Sequence, residues 1–157
     1  MTAMEGCPGS SMKDFRKKDS EAQENKSRVE SQLRQWPIQL HLIGPAAPYY
    51  QGADVVLSAD CVAYASGNFH NDYLKGKSIA IACPKLDEGQ ETYVEKIKAW
   101  FEDAKINTLT ILTMQVPCCA GLVNIAVQAL AQAKRKVPVK SIVISLEGEV
   151  LSEEWVK

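Results

Sequence analysis

The chain has 157 residues, with 18 basic and 19 acidic side chains and a formal net charge of −1. Hydrophobic residues make up 46% and charged residues 24%, a globular composition that excludes a wholly disordered chain and any general field for nucleic acid or an anionic membrane. One domain of ordinary size is expected, and no apolar run approaches the roughly 20 residues of a membrane-spanning helix.

Residues 1–10 lack the apolar core of a signal peptide, which points to the cytoplasm. They contain Glu5-Gly6-Cys7-Pro8-Gly9-Ser10, where Gly, Pro and Ser predict a turn. Residues 12–34 are dense in Lys, Arg, Glu, Gln and Ser, with Phe15, Val29 and Leu33 as almost the sole apolar positions. Such a segment buries too little surface to offset its ordering entropy. Residues 1–35 are therefore expected to form a flexible polar tether, with a frayed helix over 20–33 left open.

From Trp36 the pattern alternates between β and α, and residues 36–157 are expected to form the folded domain. Short, nearly continuous apolar runs predict strands over 38–43, 54–59, 78–82, 108–114 and 140–146, as in a parallel sheet covered on both faces. His41 falls inside the first of these, where it reads as a core or edge residue. Residues 61–75 form a shorter helical stretch interrupted by Gly67. Residues 91–105 place Tyr93, Val94, Ile97, Trp100, Phe101 and Ala104 on one helical stripe, and residues 120–134 repeat the pattern. The basic Lys134-Arg135-Lys136 suits the end of that last helix, and Pro138 prevents its continuation. Strand–helix–strand repetition with right-handed crossovers implies an α/β fold: a three-layer, Rossmann-like sandwich around a mainly parallel sheet of about five strands.

The distinctive feature is five cysteines against two histidines. An odd count in a reducing compartment argues against a closed disulfide framework and for burial, metal binding or redox chemistry. Cys61, Cys83 and the adjacent pair Cys118-Cys119 follow three successive predicted strands. In an open parallel sheet all carboxyl ends share one edge, where ligands bind. A single cysteine at a strand end is ordinarily a small core hydrophobe, but three strands ending this way point to a common site. Pro117 and Gly121 shape a turn into a helix around the vicinal pair, and a helix N-terminus favours thiolate. Thiolates select zinc, copper(I) or iron–sulfur clusters. The candidate metal ligands are thus Cys61, Cys83, Cys118 and Cys119, with His70 as a substitute and Cys7 delivered by the tether. Lys85 and Asp87, just past Cys83, are candidate contacts to an anionic ligand. No glycine-rich phosphate loop, Ser-His-Asp ordering or paired catalytic carboxylates stands out.

Several segments resemble a known family. They are Trp-Pro-Ile-Gln-Leu-His-Leu (36–42), Gly-Ala-Asp-Val-Val-Leu-Ser-Ala-Asp-Cys-Val-Ala-Tyr-Ala (52–65), Gly-Lys-Ser-Ile-Ala-Ile-Ala-Cys-Pro-Lys-Leu-Asp (76–87), Val-Pro-Cys-Cys-Ala-Gly-Leu (116–122) and Gly-Cys-Pro-Gly-Ser (6–10). Together these resemble the ferredoxin-like 4Fe–4S iron–sulfur-binding proteins or oxidoreductases of anaerobes, over nearly the whole chain. The resemblance implies that Cys61, Cys83, Cys118 and Cys119 match the family's cysteine positions, while Ala120 stands where many members have glycine. Many members carry an upstream ferredoxin module with cysteine runs for two clusters, and no such run occurs here.

The leading expectation is a metal-binding, redox-associated domain holding a 4Fe–4S cluster or Zn2+ with thiolates. It would be an iron–sulfur oxidoreductase or its accessory domain, with a ferredoxin-type redox protein as partner. Two alternatives stay open. One is a metal-free thiol enzyme or redox sensor using Cys118-Cys119, assisted by His70 or Lys85. The other is a partner-binding module whose tether docks on a larger redox complex. Neither nucleic acid nor membrane is expected as a partner, and a homo-oligomer is left open.

Overall fold

The structure, a computed structural model, describes residues 11–16 and 28–156. Cys7 with its turn, and residues 20–27 of the open helix, lie outside the described residues. The elements in chain order are β1 (Lys13–Asp14), β2 (Gln35–Trp36), a 3-10 turn (Pro48–Tyr50), β3 (Asp54–Ala59), α1 (Val62–Ala65), a π-helical turn (His70–Leu74) and β4 (Ser78–Ala82). There follow α2 (Gln90–Glu102), β5 (Thr108–Met114), a second 3-10 turn (Pro117–Cys119), α3 (Ala120–Gln132), β6 (Val139–Ile144) and β7 (Val150–Trp155).

The main sheet runs in the order β4-β3-β5-β6-β7, with β3, β4, β5 and β6 mutually parallel and β7 antiparallel to β6. The α/β architecture read from the sequence is present, and the central strands are mostly apolar because both faces are covered. Val55, Val56 and Leu57 in β3 and Ile111 and Leu112 in β5 are all essentially inaccessible to solvent. Right-handed crossovers put α1 and the π-helical turn on one face, and α2 and α3 on the other, where α2 and α3 pack against each other. Trp100, Tyr93 and Phe101 of α2 are among the largest fully buried side chains. Helix α3 ends as its basic tail suggested: Lys136 Nζ donates to the carbonyl of Ala133 at 2.9 Å, and Arg135 to that of Ile106 at 2.9 Å.

The fifth strand is β7, not the segment over 38–43. That segment contributes a single parallel bridge between Gln39 and Ile81. It then folds back, with Leu42 and Ile43 both donating backbone N–H groups to the carbonyl of Gln39. Lys96 on α2 fixes the turn by donating to the carbonyls of Leu40, His41 and Ile43 at 2.8–2.9 Å. Burial lowers the pKa of that lysine. The apolar run here serves to pack a turn, which the alternation pattern alone does not reveal.

The chain joins the domain before Trp36. Residues 28–34 are not helical, β1 and β2 pair antiparallel, and Phe15 N–H donates to the carbonyl of Arg34 at 2.7 Å. Gln35 is fully buried. Its Oε1 accepts the Ile79 N–H at 3.0 Å, while its Nε2 donates to the Ile79 carbonyl, which also accepts the Tyr50 hydroxyl at 2.9 Å. A side-chain amide thus supplies at Ile79 the pair of bonds that another strand would make.

Candidate functional site

The chain crosses from β3 to β4 in one direction along the sheet and from β5 to β6 in the other, so the topology switches between neighbours β3 and β5. At such a point the connections diverge and leave a crevice at the carboxyl ends. Cys61 leaves β3 at this point, and Cys118 and Cys119 leave β5 there in the 3-10 turn that leads into α3. Cys83 leaves β4, one strand over. The carboxyl rim therefore carries all four, but in two groups.

The first group is thiol only. Cys118 is exposed and Cys119 is buried at the residue preceding α3, with its N–H donating to the carbonyl of Val116 at 3.1 Å. Burial pushes the Cys119 thiol pKa up; a backbone bond from Met114 opposes this, while the charge of Cys118, a hydrogen bond to it and the charge of Cys61 push it further up. Cys61 is exposed and near enough for its charge to act on Cys119. A thiol that keeps its proton next to an exposed one can donate that proton as a hydrogen bond to the neighbour's thiolate.

The second group is carboxylate and phenol. Cys83 is half-buried, and its backbone N–H donates to Asp87 Oδ2 at 2.9 Å, while the Asp87 N–H donates back to the Cys83 carbonyl at 2.9 Å. The Tyr93 hydroxyl donates to the same Asp87 oxygen. Burial first, and then that bond and the charges of Asp87, Asp60 and Cys83, raise the pKa of Tyr93. Asp60, the residue before Cys61, has its carboxyl pKa raised by burial and then by the charge of Asp87. Its Oδ1 is buried without a hydrogen-bond partner among the described residues.

Close backbone packing holds the two groups together. A Cβ at Gly121 would lie 3.1 Å from Pro84 Cβ, so the loop after β4 rests on the first turn of α3. The ring of His41 lies 4.3 Å from that of Tyr93, and His41 Nε2 is 2.6 Å from the Glu88 carbonyl.

The other candidates have separate surroundings. His70 lies in the π-helical turn on the way to β4, where its Nδ1 accepts the N–H of Gln32 at 3.1 Å. Lys85 is exposed in the loop after β4. Asp87 is engaged within its own loop and by Tyr93, and Cys7 lies outside the described residues. Among the described residues, no three His, Cys, Asp or Glu side chains come together in a way that could hold a metal ion. Also among the described residues, no helix is long and apolar enough to cross a membrane.

Sequence reasoning treated Tyr93 as one member of a core stripe. The signal that distinguishes it is chemical: a buried tyrosine needs a partner for its hydroxyl, and the carboxylate of Asp87 lies six residues upstream. Gly121 was read as part of a turn, whereas its role is to let Pro84 approach.

Over residues 47–157 the chain matches the family model described as Rossmann-like domain. The chain belongs to that family. This Rossmann-like chain is also 26% identical over 119 residues to an uncharacterized protein of Archaeoglobus fulgidus, an alignment covering 76% of this chain and 83% of the relative. No solved structure matches it. These comparisons correct the family resemblance drawn from the sequence. The family is Rossmann-like, and neither match indicates a ferredoxin-like 4Fe–4S family. The segments at Cys61, Cys83 and Cys118-Cys119 that carried the resemblance are strand ends and turns of this fold.

Proposed function

We propose that this Rossmann-like protein is a thiol–disulfide exchange domain working at the switch-point crevice. The observation that carries the reading is the pairing of exposed Cys118 with buried Cys119, with Cys61 nearby at the end of the adjoining strand. Cys118 as thiolate attacks one sulfur of a partner disulfide, and the other sulfur leaves as thiolate and takes up a proton. Cys61 then attacks Cys118 in the mixed disulfide and releases the second partner thiol. The domain's two thiols have lost two electrons as an internal disulfide, and the partner disulfide has become two thiols. Cys61 is the better resolving thiol, because the Cα atoms of Cys118 and Cys119 are about 3.8 Å apart as neighbours, closer than the usual disulfide range.

The test uses the full chain, reduced and kept from oxygen, with peptide mapping after brief alkylation. Cys118 is expected to label before Cys119, and a small disulfide should produce a Cys61–Cys118 cross-link. If the Cys118→Ser chain reduces the small disulfide at the parent rate, or the parent chain forms no Cys61–Cys118 cross-link, the reading is refuted.

A second reading is thiolate binding of a soft cation such as zinc. Its one support is electrostatic: the charges of Cys118 and Cys61 both act on Cys119, with no basic side chain among the influences on it. A soft cation would neutralise such a group, but the thiols would first have to move together, because no three of them are so placed among the described residues. Stoichiometric zinc in protein purified without oxygen, lost in Cys118→Ser, would favour this reading over the first.

A further inference from the structure

Four segments pass over the carboxyl rim, and each presents one large apolar side chain to solvent. Leu42, in the turn after the Gln39 bridge, is 51% exposed, and Tyr64, in the helix after Cys61, is 93% exposed. Leu86, after Cys83, is 78% exposed, and Leu146, after β6, is 66% exposed. Single exposed apolar residues are ordinary on any protein. Here they share the one end of the sheet that carries the thiols, and tight contacts fix the segments that bear them. A Cβ at Gly148 would lie 2.3 Å from the Ala65 carbonyl oxygen, so the β6–β7 turn lies against the end of α1. The Leu146 N–H donates to Gln115 Oε1 at 3.0 Å, and the Gln115 N–H donates to the Ile144 carbonyl at 2.9 Å. A Cβ at Gly89 would lie 3.6 Å from His41 Cε1, so the loop after β4 lies against the turn that carries Leu42. The apolar side chains thus stand on a firm frame, as at the core of a binding surface.

The charge around them is predominantly negative. The loops that follow the strands carry Asp60, Asp87, Glu88, Glu147 and Glu149 against Lys85. A small anionic disulfide meets an acidic rim with little to hold it, whereas a polypeptide with apolar and basic residues finds both complements.

We propose that the carboxyl rim is a docking surface for a protein partner, and that the partner presents a cysteine disulfide flanked by apolar and basic residues. The proposal rests on the thiol-exchange reading and specifies its substrate class: disulfides in polypeptides rather than small anionic disulfides. The chemistry is the exchange already written, with Cys118 attacking and the partner disulfide accepting the two electrons.

The test measures exchange rates of the full, reduced chain with chromogenic mixed disulfides. The probes are a short synthetic peptide with leucines flanking its cysteine and lysines at its ends, the same peptide with serines for leucines, the same peptide with glutamates for lysines, and glutathione. Each rate is divided by the rate of the same probe with free 2-mercaptoethanol, which removes differences in leaving-group chemistry. The leucine–lysine peptide is expected to exchange about tenfold faster than the other three, equivalent to about 1.4 kcal/mol, and added salt should shrink its advantage over the glutamate peptide. The exposed double variant Tyr64→Ser, Leu146→Ser should lose that advantage while Cys118 alkylates as in the parent chain. Equal normalised rates, or a double variant that keeps the advantage, would overturn the proposal. Dimerisation that protects Cys118 from alkylation would overturn it too, by assigning the apolar ring to a second copy. A Cys118→Ser chain that exchanges every probe at the parent rate marks the separate failure of the thiol-exchange reading.

Discussion

Replacing Gln35 should expose how much of the fold depends on one side chain acting as a strand. In the parent protein the Ile79 N–H is bound by Gln35 Oε1 at 3.0 Å, and the Ile79 carbonyl also accepts the Tyr50 hydroxyl at 2.9 Å, a second donor besides Gln35. Gln35→Met keeps most of the volume and removes the acceptor, leaving one buried donor without a partner. That costs about 1–3 kcal/mol. Gln35→Ala adds a cavity, and the total should reach about 2–4 kcal/mol. For a domain of this size each kcal/mol lowers the melting temperature by about 2–4 °C. Urea unfolding of the three chains, followed by tryptophan fluorescence, gives the midpoints and slopes. Equal slopes with midpoints falling in the order Gln35, Met, Ala are expected. A Met variant within about 0.5 kcal/mol of the parent would refute the reasoning, because Ile79 would then be satisfied without the glutamine.

Gly148→Ala should lose at least about 2 kcal/mol in the same assay, because Gly148 has φ +88° and the new Cβ would meet the Ala65 carbonyl at 2.3 Å. Lys96→Met should cost about 2 kcal/mol by leaving the carbonyls of Leu40, His41 and Ile43 without their donor, and hydrogen exchange should rise at the Leu42 and Ile43 amides. Asp54 accepts bonds from Thr108 Oγ1 and Asn107 Nδ2, both at 2.7 Å, and these hold its carboxyl below the usual range. A carboxyl with a depressed folded pKa stabilises above its unfolded value of about 3.9, and that contribution is lost as pH falls through the folded value. Asp54→Asn should therefore cost about 1 kcal/mol at neutral pH, and the gap to the parent should close in acid; a gap independent of pH would contradict the assignment.

Much of this fold is legible in the residues. Strands β3, β4 and β5 fall where the apolar runs predict them, and α2 and α3 follow their stripes to within a few residues. These elements are buried on whole faces, so burial writes itself into the pattern. β7 was not legible because Val150, Leu151 and Trp155 are exposed and Glu153 and Glu154 interrupt them, leaving neither alternation nor a continuous run. The role of Gln35 was hidden for the opposite reason: a polar residue in a polar segment gives no sign that it is fully buried.

The site was legible in part. Strand ends predicted that Cys61, Cys83, Cys118 and Cys119 share a rim, and they do. How the rim divides depends on contacts between loops. Asp87 and Tyr93 hold the segment at Cys83, while Cys118 and Cys119 sit in the turn after β5, the strand next to the one that Cys61 follows. The bonds at Asp87 are short in sequence but need the buried hydroxyl of Tyr93 to be recognised, whereas the neighbouring of β3 and β5 joins residues far apart, of which spacing along one chain carries no record.

The reversal of the last strand decides how the molecule can be attached to something else. β6 ends at the rim, β7 runs back, and the Val156 N–H meets the carbonyl of Val139 at 2.8 Å, beside the start of β6. A tag or linker joined after β7 therefore leaves from the edge opposite the thiols. Immobilised through that end, the molecule stands with Cys118 facing outward; with a parallel last strand, the same attachment would emerge among the cysteines and cover them.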